Sequence, residues 1–206
     1  MINNLELFFE NAENGVSKID KNIKNMEGMS GTKTRHFYNN VLTIENAKYL
    51  EIGTWKGSSV CSAMCGNFGS VLCVDNWSEF GGTKDEFLSN FEKYKGNNNA
   101  RYIESDCFKL DVSDIGKFNI YMYDGNHSYD SHYKSLKYFI DSMDDEFILI
   151  VDDWNWFDVQ KATMDSISNL KLKVLWSKEI KLNNDGVTTH DKDGWWNGIS
   201  VFLIKK

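Results

Sequence analysis

Proline is absent from this chain of 206 residues, although average usage near 5% would give about ten. Cysteine is scarce, and the four cysteines lack the paired spacing of a zinc site. No apolar run approaches the roughly 18 residues that a membrane-spanning helix needs. The first ten residues contain no Lys or Arg and do not resemble a secretory signal. These absences favour a cytoplasmic protein with free thiols and no membrane partner.

Positive charge is also in short supply. Lys and Arg number 23 against 30 Asp and Glu, which gives a formal net charge of −7. This balance argues against a nucleic-acid partner held by a broad basic face. Hydrophobic residues make up 41% of the chain and charged residues 26%, as in ordinary globular proteins, and the length fits one domain.

Short apolar runs alternate with helical periodicity from Ala47 onward. Continuous apolar strands between helices are typical of a parallel sheet covered on both faces. Only a polar loop separates the last two strands, so we expect that pair to be antiparallel. The predicted fold is α/β: a Rossmann-like, seven-stranded, mostly parallel sheet with a terminal antiparallel strand pair and helices on both faces. The predicted strands are Lys48–Ile52, Ser70–Asp75, Arg101–Glu104, Phe118–Tyr123, Phe147–Val151, Leu172–Leu182 and Gly198–Ile204. The predicted helices include His36–Ile44, Ser58–Cys65, Lys84–Lys95, Tyr129–Met143 and Asp158–Leu170.

Carboxylates stand at or just after the ends of the first five predicted strands. Ligands of open α/β sheets bind beyond the carboxyl ends of the strands, so these positions are candidates for a binding site. Strand-end acids also occur as helix caps, which is the structural alternative. The residues concerned are Glu51, Asp75, Asp106, Asp124, Asp152 and Asp153.

The first strand runs into the pattern Glu51-x-Gly53-x-x-x-Gly57, where glycines allow a tight turn and close approach to a ligand. This pattern resembles the first motif of class I methyltransferases that use S-adenosylmethionine (SAM). The resemblance implies that Asp75 binds the ribose hydroxyls and Asp106 the adenine amino group. The SAM-binding residues that it implies are Glu51, Gly53, Thr54, Gly57, Ser58, Asp75, Asn76, Trp77, Asp106 and Asp124.

The fourth and fifth strands end in Asp124-Gly-Asn-His127-Ser-Tyr and in Asp152-Asp153. This pair of segments resembles the small sugar-directed O-methyltransferases related to the macrocin and mycinamicin methyltransferases, and the resemblance covers roughly residues 47–156. It implies that Asp124, Asp152 and Asp153 hold Mg²⁺ (or Mn²⁺ or Ca²⁺) and that His127 is the general base. The acceptor implied is a sugar, either a small molecule or part of a glycan.

Elementary chemistry supports a cation at this position. Three carboxylates brought together from two strand ends repel one another unless protons or a cation intervene. Oxygen ligands without Cys favour Mg²⁺, Mn²⁺ or Ca²⁺ over zinc. Metal coordination lowers the pKa of a sugar hydroxyl, and a nearby imidazole can then take its proton.

Several further residues are candidates for contact with the acceptor. Aromatic faces suit the apolar patches of sugar rings, although core packing is an equal alternative for them. A basic side chain before the sheet could reach an acidic group of the acceptor. The candidates are Trp154, Trp156, Trp195, Trp196 and Arg35.

The N-terminal 46 residues stand apart from the regular alternation. Leu5, Phe8, Phe9 and Ala12 form an apolar stripe with helical spacing. We therefore expect residues 1–46 to form a helical cap that contacts the substrate or a second copy of the chain, and residues 47–206 to form the SAM-dependent methyltransferase domain.

Other functions stay open from the sequence. Asp191-x-Asp193 has the form by which some glycosyltransferases hold a metal-bound nucleotide sugar. A hydroxylase-like enzyme or a non-catalytic nucleotide-binding protein could use the same sheet. An aromatic diol could replace the sugar as acceptor.

Overall fold

One sheet organises the computed structural model, which describes all residues from Met1 to Lys206. The strands are β1 (Lys48–Ile52), β2 (Ser70–Asp75), β3 (Asn99–Glu104), β4 (Phe118–Tyr123), β5 (Met143–Asp152), β6 (Lys173–Ile180) and β7 (Ile199–Lys205). The helices are α1 (Ile2–Glu13), α2 (Lys21–Lys24), α3 (Thr32–Val41), α4 (Ser58–Met64), α5 (Lys84–Tyr94), α6 (Tyr129–Phe139) and α7 (Phe157–Asn169). No helix has the length and apolar character to cross a membrane.

The strand order across the sheet is β3-β2-β1-β4-β5-β7-β6. β1 pairs in parallel with β2 and with β4, and β5 lies parallel to β4. β7 is inserted between β5 and β6 and runs antiparallel to both. The predicted fold class is therefore confirmed, including the antiparallel pairing of the last two strands.

Alternate side chains of the inner strands enter two separate cores. Tyr49 of β1 belongs to a core of 30 buried residues beneath α1, α3, α4 and α5. Its neighbour Leu50 belongs to a core of 19 buried residues beneath α6 and α7. This alternation follows from the period of two along a strand and gives each face of the sheet its own layer of helices.

The N-terminal helices share the first of these cores with the sheet. Phe9 of α1 and Phe37 of α3 pack ring to ring at 4.4 Å between centroids. Trp195, which follows the last long loop, packs on Phe9 at 5.4 Å. The helices within residues 1–46, which the sequence predicts to form a cap, therefore cover one face of the sheet.

Two predicted helices have the wrong bounds. The helix expected to run to Met143 ends at Phe139, because Met143 pairs with Phe118 as the first residue of β5. The helix expected over His36–Ile44 begins at Thr32 and ends at Val41, and its residues from Thr34 to Val41 are all buried. Five of these eight buried residues are polar or charged, a composition that does not mark a segment as interior in a sequence: Thr34, Arg35, His36, Asn39 and Asn40.

Candidate active site

A cavity of about 700 Å³ lies at the carboxyl ends of β1, β2, β4 and β5. The chain leaves β1 toward one face of the sheet and β4 toward the other, which opens a crevice between these neighbouring strands. Its volume lies in the range of small-molecule sites. The predicted site residues that line it are Gly53, Thr54, Ser58, Asp75, Asn76, Trp77, Asp106, Asp124, His127, Asp152, Asp153, Trp156 and Trp196.

The loop after β1 is held in a conformation that requires glycine at its first turn. Gly53 has φ of +84°, and a Cβ there would lie 2.0 Å from the Asp124 carbonyl oxygen. Gly57 also has positive φ, +86°, and lies at the start of α4. The backbone at Gly53 therefore lies directly against the loop after β4. The motif predicts the tight turn, whereas the atom that comes close to Gly53 belongs to the protein and not to a ligand.

Asp75 ties the neighbouring loops together. Its Oδ2 accepts hydrogen bonds from the backbone N–H of Thr54 at 2.7 Å and of Trp55 at 2.9 Å. Its Oδ1 accepts from the N–H of Trp77 at 2.7 Å. Asp106 is placed in a similar way, since its Oδ1 accepts from the Phe108 N–H at 3.0 Å and caps a short 3-10 helix. Both acids line the cavity while ordering its walls.

His127 lies between two of the predicted metal ligands. Its Nε2 is 3.2 Å from Asp153 Oδ2 and 3.6 Å from Asp124 Oδ1. Its Nδ1 is 3.1 Å from Nε2 of His132, a buried residue of α6. The helix cap is supplied by Ser128, whose Oγ accepts from the Ser131 N–H at 3.3 Å. His127 is therefore not a capping residue of α6.

Burial dominates the electrostatics of this cluster. Burial raises the pKa of Asp124, Asp152 and Asp153 above the usual range, and repulsion among them adds to the shift at Asp124 and Asp152. Burial lowers the pKa of His127 despite the opposing charge of Asp153. Burial lowers the pKa of His132 to about 3. The two imidazoles are therefore neutral near pH 7.

The three aspartates do not form a ready metal site in this structure. No group of three or more His, Cys, Asp or Glu side chains is placed so that it could hold a metal ion. The backbone of Asp153 has φ of +54°, and its Oδ1 accepts from Asn197 Nδ2 at 2.9 Å. Asp152 Oδ1 is buried with no hydrogen-bond partner. The donors suit a hard cation in chemistry, but the side chains are not gathered around one point.

Glu51 and Gly57 do not line the cavity. Glu51 is fully buried below it, where it accepts hydrogen bonds from the Tyr49 hydroxyl at 2.5 Å and the Ser59 hydroxyl at 2.6 Å. Burial raises the pKa of Glu51 to about 7. This acid supports the loop of the first motif from beneath.

Three of the candidate acceptor residues also lie outside the cavity. Trp154 is buried and donates through Nε1 to Glu179. Trp195 is buried against α1 and donates through Nε1 to Glu13. Arg35 is buried and donates to backbone carbonyls in and after α2. These side chains hold the N-terminal helices and the last loop in place, whereas Trp156 and Trp196 face the cavity.

The structure adds wall residues that the sequence did not single out. Met29, Ser30 and Tyr38 reach the cavity from the N-terminal segment, and Phe80 reaches it from the loop after β2. No motif marks them, because their approach depends on how α3 packs across the sheet. A second cavity of about 350 Å³ shares His127 with the first and is bordered by Phe157.

Comparison with known proteins relates this fold to methyltransferases. The chain is similar to an O-methyltransferase from Bacillus cereus in complex with S-adenosylhomocysteine (SAH), with a TM-score of 0.61, 13% identity, and coverage of 98% of this chain and 91% of that chain. It is also similar to TomG, the Streptomyces achromogenes O-methyltransferase involved in tomaymycin synthesis and solved with SAM. That match has a TM-score of 0.59 and 11% identity and covers 84% of this chain and 80% of that one.

A third similar structure is described as a SAM-dependent methyltransferase from Streptococcus mutans, with a TM-score of 0.57 and 14% identity. The match covers 85% of this chain but 48% of the other, so this chain spans about half of that protein's length. None of the curated protein sequences matches this chain significantly. At these identities the structural matches establish the fold.

A family profile described as a methyltransferase domain matches residues 50–154. The match runs from β1 through the end of β5 and contains the strand-end acids and His127. The prediction of a methyltransferase is therefore confirmed at the level of the family, and the sugar-directed subgroup stays a prediction. Because the match spans just over half of the sequence, the chain belongs to the methyltransferase domain family.

Proposed function

We propose that this chain is a SAM-dependent O-methyltransferase whose acceptor is a sugar or another small vicinal diol. The observation that carries the proposal is the position of His127. Its Nε2 lies within 3.6 Å of carboxylates from both β4 and β5, in the cavity that the Gly53 loop also borders. A base positioned in a ligand cavity can take the proton that a hydroxyl loses when it is methylated.

The half of the cavity formed by β1, β2 and β3 suits the methyl donor. SAM, when bound, supplies a methyl group already activated by its sulfonium centre. Gly53 and Thr54 border this half of the cavity at the end of β1. Asp75 and Asp106 present carboxylate oxygens to the same space, and such oxygens accept hydrogen bonds from a diol or an amine.

The half formed by β4 and β5 suits the acceptor. We assign the proton of neutral His127 to Nδ1, directed at His132, so that Nε2 accepts the proton of the acceptor hydroxyl. Because Asp153 Oδ2 lies 3.2 Å from Nε2, the acceptor hydroxyl must displace this contact when it binds. The imidazolium that results has Asp153 at 3.2 Å and Asp124 at 3.6 Å to balance its charge. The chain thus provides both the base and the counter-charge for the proton it removes.

Magnesium is a further part of the proposal and rests on the donor set alone. Asp152 and Asp153 are buried and Asp124 is partly exposed, and none of the three forms an ion pair with Lys or Arg, which is a suitable environment for a hard cation. A cation there would lower the pKa of a coordinated hydroxyl. We expect the rate of methyl transfer to fall in EDTA and to recover when Mg²⁺ is added. Equal rates in EDTA and in Mg²⁺ would contradict a role for the metal.

The aromatic wall supports a sugar or a flat diol as acceptor. Trp156 packs edge-on against His127 with 5.0 Å between ring centroids, and Trp196 also faces the cavity. Aromatic faces bind the apolar C–H patches of sugar rings and the faces of aromatic diols alike. The smaller cavity beside Phe157 offers room for the rest of a larger acceptor.

The first test is a thermal melt with and without SAH, carried out in Mg²⁺ and again in EDTA. Ligand at about 100 times its Kd stabilises the folded state by about 2.7 kcal/mol, which is about 5–10 °C for a protein of this size. We expect a shift of that order. No shift at millimolar SAH would contradict the SAM pocket. Methyl transfer from radiolabelled SAM to free sugars, nucleotide-linked sugars and catechol then tests the acceptor class.

A further inference from the structure

The cavity wall contains a tyrosine with an unused hydroxyl. Tyr38 of α3 is fully buried and borders the cavity, yet its Oη has no hydrogen-bond partner. Leaving a buried hydroxyl without a partner costs free energy, so such a group needs an explanation. Tyr38 lies outside residues 50–154, so the family match does not account for it.

A second unused polar atom faces the same cavity. Asp152 Oδ1 at the end of β5 is also buried without a partner. The first atom is a hydroxyl that can donate, and the second is a carboxylate oxygen that can accept. The two do not bond to each other within 3.5 Å, so each has hydrogen-bonding capacity for something placed between or beside them.

Tyr38 shares the cavity wall with the acids at the ends of β4 and β5, namely Asp124, Asp152 and Asp153. The carboxylates that act most strongly on its hydroxyl are those of Asp152 and Asp124. Burial and these carboxylates raise the pKa of Tyr38 well above its ordinary value, so the hydroxyl keeps its proton and acts as a donor.

We propose that Tyr38 binds the acceptor: its hydroxyl donates a hydrogen bond to the acceptor oxygen that lies against the Asp152 carboxylate. An alcohol hydroxyl fits this position because one oxygen accepts from Tyr38 while its own proton points to a carboxylate or to the base. The inference rests on the proposed function, and it adds an acceptor contact from the N-terminal helices. Tyr38 would hold the reacting oxygen in line with the donor methyl group.

The test is Tyr38→Phe with Tyr121→Phe as a matched control. Tyr121 is also fully buried with a partnerless hydroxyl, but it belongs to the opposite core and does not border the cavity. We expect Tyr38→Phe to lower kcat/KM for the acceptor about tenfold, with KM for SAM and the SAH-induced melting shift unchanged. Tyr121→Phe should match the wild type in every measurement.

The outcomes separate this inference from the proposed function. A wild type that shows no SAH shift overturns both. If Tyr38→Phe methylates a diol as fast as the wild type does, only the role of Tyr38 is overturned. Both variants delete a hydroxyl that has no partner, so neither should lower the melting temperature of the free protein.

A crystal structure with SAH and glycerol decides the question without knowledge of the natural acceptor. Glycerol serves as the probe because it is a small vicinal diol. We expect an oxygen atom, of glycerol or of water, within hydrogen-bond distance of both Tyr38 Oη and Asp152 Oδ1. A Tyr38 hydroxyl that donates to a protein atom instead would overturn the proposal.

Discussion

His127 shows how a single residue acquires chemistry from its surroundings. Its ring is mostly buried, which lowers its pKa, while Asp153 at 3.2 Å raises it. The balance leaves the imidazole neutral but next to charge that stabilises its protonated form. A base needs this combination, because it must be free to take a proton and must then hold it through the transfer.

We expect His127→Ala to lower turnover by roughly 10²–10⁴-fold, the range for loss of a general base. The melting shift with SAH should persist, since His127 faces the acceptor half of the cavity. Steady-state rates with an acceptor found in the screen, together with the SAH melt, provide the measurement. A decrease of less than a few-fold would return His127 to a packing role.

At the scale of elements, the loops after β1 and β4 define the site because they touch. The strands themselves were predictable: β1, β2 and β4 have the expected bounds, since each is a short apolar run between polar turns. Their strand-end acids followed as candidates, and Asp75, Asp124 and Asp152 do border one cavity. That Glu51 lies beneath the cavity could not be predicted, because a strand residue enters either face depending on packing.

The strand order and the N-terminal wall could not be predicted for the same reason. β7 lies between β5 and β6. Its continuous apolar run favours an internal place over the edge, where β6 with its Lys and Glu lies, but it does not specify which strands flank it. Tyr38 reaches the cavity only because α3 crosses the sheet beside α4. Contacts between elements distant in sequence leave no local pattern, whereas strand ends and tight turns do.

Gly53→Ala tests the contact between the two loops. A Cβ at Gly53 would lie 2.0 Å from the Asp124 carbonyl oxygen, so the two loops must move apart. The alanine must also adopt a positive φ. We expect the SAH-induced melting shift to disappear. Gly116→Ala is the control, since Gly116 also has positive φ (+96°) but open space around it. It should lose only about 1–2 kcal/mol of stability and keep the SAH shift. Equal behaviour of the two variants would show that the loop contact is unimportant.

On the scale of the whole molecule, the sheet separates two cores and the site lies at their common edge. The N-terminal helices complete one core and supply Tyr38, so the same packing that stabilises the fold also closes the cavity. Buried acids collect at this edge because four strands end there. Burial raises the pKa of Glu51, Asp124 and Asp152, so each of these acids binds a proton more tightly in the folded protein than in the unfolded chain.

Glu51→Gln measures this coupling at its best-defined position. The pKa of Glu51 is about 7 in the folded protein and 4.5 in its ordinary state. Because the folded value is the higher one, the contribution of Glu51 to stability is present below about pH 4.5 and is lost as the pH rises through 7. The amide carries no charge in either state. Denaturant titrations at pH 5 and pH 8 give the free energy of unfolding of both proteins. From pH 5 to pH 8 we expect that of Glu51→Gln to rise relative to that of the wild type by on the order of 1–3 kcal/mol. A difference in unfolding free energy that is the same at both pH values would mean that Glu51 is ionised in the folded protein throughout. Its two hydroxyl partners, Tyr49 and Ser59, would then be sufficient to stabilise the charge.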